Sequence, residues 1–128
     1  MKRDMDLIRS ILLLAEAQPA GELLRDFSTL ETEHRADRRT VIEHVLLAQR
    51  SGLVEATFSW ALGDDAAAVV TRLTPAGHDF IEQARSPTIW SSAKEAAAKA
   101  GVGATVEVLK TILAELTKTA LTAYLRTH

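Results

Sequence analysis

Cysteine is absent from the 128-residue chain. That single absence removes disulfides, thiolate metal sites and thiol nucleophiles together, and it suits a reducing cytoplasm. Charge of either sign is not in large excess: 15 Lys and Arg stand against 17 Asp and Glu, a formal net charge of -2. No global field therefore draws the protein to nucleic acid or to an anionic membrane, and any DNA contact must come from a local patch. Long hydrophobic runs are missing as well. The run at residues 11–15 is too short for a secretory h-region and follows the acidic Asp4 and Asp6, so the expectation is a cytoplasmic protein without a membrane span. No glycine-rich phosphate loop, nucleophile elbow or spaced carboxylate pair is found. The reading is of a protein that is not an enzyme and carries no cofactor.

What the chain does have is 47% hydrophobic residues over one domain's length, enough for a real core. Asp4 caps a first helix whose apolar positions Leu7, Ile8, Ile11, Leu12, Leu14 and Ala15 recur at three- and four-residue spacing. Gln18-Pro19-Ala20-Gly21 stops it. Residues 22–27 read either as a helical turn or as a short strand that would pair with a later hairpin. Residues 28–35 are polar and acidic, and no second helix is evident there. A helix is expected from Ala36 or Asp37, with Val41, Val45 and Ala48 on one stripe, and Gly52 is its C′ residue.

Residues 54–62 and 69–73, across Gly63-Asp64-Asp65, predict a β-hairpin. Thr74-Pro75 and Ser86-Pro87 then start two helices in turn, the second stopped by Gly101. A last helix, from residue 104 to about 125, places Val106, Leu109, Leu113, Leu116, Ala120 and Ala123 on a heptad-like seam that packs on its own domain or forms a homodimer interface. The predicted fold is α+β and mainly α: a winged-helix-like domain over residues 1–85, with a hairpin wing, and a C-terminal helical extension over residues 86–128.

A helix entering a major groove needs cations for phosphate and hydrogen-bonding groups for base edges. Arg35, Arg38, Arg39, Thr40, Glu43 and Arg50 are the candidate DNA-binding residues on that basis, with Arg25 and Arg72 extending the patch if the fold brings them together. Glu33, Asp37 and Glu43 dilute the positive charge, and an acidic wing tip opposes a phosphate backbone. The four histidines, His34, His44, His78 and His128, lack the spacing of a metal site. His44 reads as a core-edge residue bonded to backbone. Trp60 and Trp90 each stand alone among small or apolar neighbours and read as core or interface anchors rather than base-stacking platforms.

The motifs MKRDMDLIR, VIEHVLLAQRSGLVEA and LTPAGHDFIEQAR, in that order, resemble an uncharacterised family of short bacterial and phage proteins. Its members begin MKRDMDLIR and carry an LTxxGHDFLD-like box. The resemblance implies a compact winged-helix-like domain followed by helices, in phage or mobile-element settings, and lends no catalytic residue and no ligand. The helix ending in SGLVEA is also similar to the junction between recognition helix and wing in bacterial winged-helix regulators. Two functions are carried forward: a transcriptional regulator that binds duplex DNA as a homodimer, and a protein-interaction module of phage or host-defence type that binds no DNA.

Overall fold

In the computed structural model, which describes residues 1–60 and 65–127, three helices precede an antiparallel hairpin and three more follow it. In chain order these are α1 (Met5–Glu16), α2 (Ser28–His34), α3 (Arg38–Arg50), β1 (Val54–Ser59), β2 (Ala67–Leu73), α4 (Pro75–Ala84), α5 (Pro87–Lys99) and α6 (Val106–Thr127). The protein is thus α+β and mainly helical. It divides into two compact units, residues 1–79 and 80–128, with the division inside α4.

Local signals set most of the boundaries of the first unit. The Asp4 carboxylate accepts from the backbone N–H groups of Asp6 and Leu7 and caps α1; the Asp37 carboxylate accepts from Thr40 N–H and caps α3. Gly52 follows α3 with φ +79, a left-handed conformation that a side chain would strain. Its position lets the Leu53 N–H reach back to Ala48 C=O.

The second helix, not evident in the sequence, forms nonetheless. Its only buried residue is Leu30, so no apolar stripe could announce it. Asp26 accepts from Ser28 N–H at its start, and Arg35 ends it in the left-handed region at φ 51. With those turns in place, α2 packs against both α1 and α3.

β1 and β2 pair with Ala56 opposite Val70 and a bulge between Glu55 and Ala56. Residues 22–27 hold no regular strand, but Leu24 makes a single bridge to Val70, exchanging both backbone bonds at 3.0 and 2.9 Å. Of the loop read at Gly63-Asp64-Asp65, only Asp65 lies within the described residues. The core of this unit gathers Leu7, Ile8, Ile11 and Leu12 of α1 with Val41, Ile42, Val45 and Ala48 of α3, and with Leu53, Val54 and Val70.

In the second unit, Ser86 caps α5 through its hydroxyl, with Pro87 in the first turn. Trp90 is buried and meets Phe80 edge-on, ring centroids 6.1 Å apart. α6 packs against α5. Val106, Leu109 and Leu113, read from the sequence as seam residues, are buried by the chain itself. Of the other three, Leu116 is half-buried and Ala120 and Ala123 are exposed, as is every described residue from Thr117 onward. The large apolar side chains that α6 leaves in solvent are Leu121, Tyr124 and Leu125.

Candidate functional site

α3 buries the stripe of Val41, Ile42, His44, Val45 and Ala48. The opposite side of a 3.6-residue helix must then carry Arg39, Glu43, Leu46 and Arg50, four and three residues apart in turn. All four are exposed or half-exposed. Arg38 falls on a different flank, beside Ile42. The six residues read as a DNA-binding set are therefore spread around and along the helix: Arg35 sits in the turn before it, Arg38 and Arg39 start it on different flanks, half-buried Thr40 donates its backbone N–H to the cap, and Arg50 closes the far end.

β1 lies beside α3 and runs the opposite way. The Gln49 side chain donates to Ala56 C=O at 2.8 Å, while at the other end the Arg39 guanidinium stands 5.1 Å from the centre of the Trp60 ring. Along β1 the residues Val54, Ala56 and Phe58 face the helix, and Trp60 continues their alternation beyond the strand's end, where the core has run out. Phe58 and Trp60 stack with ring centroids 5.5 Å apart and 3° between planes. Trp60 remains 43% exposed. Arg39 also lies 3.6 Å from Glu43 across one helical turn. The result is a fixed, solvent-facing aromatic platform with an arginine over it and an acid behind the arginine. Sequence reading took Trp60 as an isolated anchor; what it could not supply was the strand register that sets Phe58 under it and the helix that brings Arg39 across.

A cleft of about 310 Å³ opens on another flank, lined by Arg25, Asp26, Phe27, Ser28, Glu31, Arg38, Ile42, Ala66, Ala67 and Ala68. It unites Arg25 with Arg38, but places two carboxylates beside them. Hydrogen bonds from the Ser28 hydroxyl and backbone hold the Asp26 carboxyl below its ordinary value, with a smaller contribution from Arg38. Asp37 is lowered in the same way by the Thr40 side chain and backbone. Arg72 is on the hairpin and pairs with Glu55 at 2.6 Å. An exposed pair of that kind contributes little to stability.

His44 is fully buried. Its Nε2 accepts from the backbone N–H of Asp4 at 2.9 Å, and its Nδ1 lies 2.8 Å from Thr40 C=O. A backbone amide can only donate and a carbonyl only accept, so the ring is the neutral Nδ1–H tautomer. Both nitrogens are used in tying the cap of α1 to α3, and none is left for chemistry. No group of three or more His, Asp or Glu side chains that could hold a metal ion occurs among the described residues.

Gly77 explains the LTPAGHDF box. A Cβ at this position would stand 2.0 Å from the carbonyl oxygen of Leu53. The Thr74 hydroxyl donates to Gly52 C=O at 2.5 Å and accepts from Gly77 N–H, and Thr74 N–H donates to Leu53 C=O. The box is a clasp between the first turn of α4 and the turn that ends α3.

Among known proteins, residues 2–103 match the model of a family described as "Hypothetical protein (DUF2513)". An uncharacterized protein of Haemophilus influenzae is 33% identical over 114 residues, which is 88% of this chain and 92% of that protein. No solved structure matches the chain. No helix among the described residues is long and apolar enough to cross a membrane.

Proposed function

The chain belongs to the DUF2513 family, and from that premise we propose that it is a non-enzymatic protein-interaction module, working in the cytoplasm, that docks through the face shared by α3 and β1. The observation that carries this reading is Trp60. A tryptophan that keeps 43% of its surface in solvent, held in one orientation by Phe58 and crossed by an arginine, has the composition of a binding hot spot. Its ordering is already complete, so a partner need not immobilise it.

Charge favours a protein over nucleic acid. Residues 1–79 hold nine Lys and Arg against thirteen Asp and Glu, a formal -4. A unit of that balance meets a polyanion with net repulsion, and one of its thirteen acids, Asp65, lies in the loop that joins β1 to β2. Duplex DNA remains the second reading because the element order α1, α2, α3, hairpin is that of a winged helix, with α3 in the position of a recognition helix and Arg38 and Arg39 exposed at its start.

One pair of measurements tests both. The wild-type chain and Trp60→Lys are used as bait in a cytoplasmic extract, with captured proteins identified by mass spectrometry, and both are titrated with duplex DNA across a salt series. The docking reading expects a protein held by the wild type and lost by the variant. DNA retention that falls steeply with salt and disappears in an Arg38→Ala/Arg39→Ala double variant would replace it with the regulator.

A further inference from the structure

Four charged side chains meet in the cleft of about 310 Å³ beside Arg38, and their charges balance: Arg25 and Arg38 against Asp26 and Glu31. Beneath them the walls are apolar. Phe27, Ile42, Ala66 and Ala68 line the same cleft and are buried. The two alanines leave open the room that larger side chains would fill.

The four charges are not equivalent. Asp26 accepts from the Ser28 N–H at 2.9 Å, and its carboxyl, held low by the Ser28 bonds and then by Arg38, is ionised at neutral pH. Asp26 and Arg38 thus already face each other at the rim. Arg25 and Glu31 form the other pair, and among the described residues neither side chain has an ion-pair or hydrogen-bond partner. Both line the cleft without meeting, so the open space lies between them. Glu31 is half-buried. A carboxylate drawn partly out of water with no partner is where an incoming cation gains most.

Across a cleft of that volume, roughly 7 Å wide, all four charges stand within about one Debye length of one another. A ligand of one sign therefore always meets two like charges. A phosphate or carboxylate alone faces Asp26 and Glu31, and an amine alone faces Arg25 and Arg38. A ligand with both signs sets each end on its opposite. Being neutral overall, it is also indifferent to the formal -4 of residues 1–79.

We propose that the cleft binds a free α-amino acid with an apolar side chain, its ammonium on Glu31, its carboxylate on Arg25 and its side chain against Phe27 and Ile42. The two charged groups of such a ligand share one carbon, so both are reached within so narrow a space. A residue inside a peptide offers neither charge. The volume is at the small end of the ~300–1,000 Å³ of ligand sites, which suits a single amino acid rather than a nucleotide or a lipid. This binding goes beyond docking at Trp60 and does not depend on it.

The full chain, with isotope-labelled methyl groups, is titrated by NMR with L-leucine, glycine, L-leucinamide and N-acetyl-L-leucine. The expected result with leucine is saturable shifts of the Ile42 and Ala66 methyl signals, with a midpoint of about 1 mM or below, the range for so small a ligand. Leucinamide lacks the carboxylate, acetyl-leucine the ammonium and glycine the apolar chain, and each should bind at least tenfold more weakly. Glu31→Gln and Arg25→Gln, checked for folding by circular dichroism, should each weaken leucine binding at least tenfold, while Lys110→Gln on α6 leaves it unchanged. Leucinamide or acetyl-leucine binding as tightly as leucine would reveal a site for a single charge and overturn the proposal. Shifts that fall outside the cleft, or no saturation by about 10 mM leucine, overturn it as well.

Discussion

Replacing Gly77 by alanine sets two effects of opposite sign against each other at one backbone position. Helix propensity favours the variant, because alanine stabilises a helical position by about 1 kcal/mol over glycine. Sterics oppose it. The new Cβ would lie 2.0 Å from Leu53 O and 2.9 Å from Leu53 C, where real Cβ atoms essentially never come within 3.0 Å. Both obstructing atoms are backbone, so no side chain can swing aside, and α4 must withdraw by about 1 Å. Overpacking of that kind costs about 1–3 kcal/mol. Withdrawal also stretches the Thr74 bonds to Gly52 C=O and Leu53 C=O, each contributing about 1 kcal/mol.

The balance is a net loss of about 2–4 kcal/mol once the propensity gain is deducted. That corresponds to a fall in Tm of roughly 10 °C for a chain of this size. Urea and thermal unfolding followed by circular dichroism would measure it, with Ala76→Gly as a companion that loses at most about 1 kcal/mol of propensity. A Gly77→Ala protein as stable as the wild type, or more so, would show that the close approach of α4 to Leu53 does not exist and that the glycine needs another explanation.

His44→Leu should destabilise the protein by about 1–3 kcal/mol, because it leaves the part-buried Asp4 N–H without its acceptor while Thr40 C=O keeps its helical bond; unfolding midpoints at pH 7 check it, and a neutral result would contradict the assigned bonds. The Asp26 and Asp37 carboxyls are held below their ordinary values in the folded state, so each contributes stability that is present above the ordinary carboxylate range and is lost as pH falls through its lowered value. Asp37→Asn keeps a capping oxygen but no titration, so acid unfolding of that variant should have a shallower dependence on pH than wild type. Leu113→Ala should cost about 2–5 kcal/mol of folding stability, as for a fully buried leucine, without changing the mass measured by light scattering; dissociation of an oligomer with stability unchanged would return Leu113 to an interface.

Most helix boundaries were legible because they are local chemistry. Asp4, Asp37, Thr74-Pro75 and Ser86-Pro87 start helices through side-chain oxygens and a fixed φ, while Gly52 and Gly101 stop them with φ +79 and +74. These signals act within four residues, so a linear reading recovers them. The hairpin was legible from its β-branched runs for the same reason. α2 was not, because one leucine among polar residues has no period; its helicity depends on α1 and α3 being there to receive Leu30.

The candidate site divides along the same line. That α3 would carry a charged face opposite its core stripe was written in the spacing of its residues, as was the confinement of His44 to backbone bonding. Which of those charges share a face with an aromatic platform was a matter of register: Trp60 meets Arg39 only because β1 runs antiparallel to α3 and outlasts the core beneath it. Likewise a seam of leucines spaced three and four apart specifies that α6 has an apolar side but not what lies against it. Periodicity encodes orientation about an axis, whereas the identity of the neighbour depends on the path of the whole chain, and here that path sets α5 beside Leu109 and Leu113.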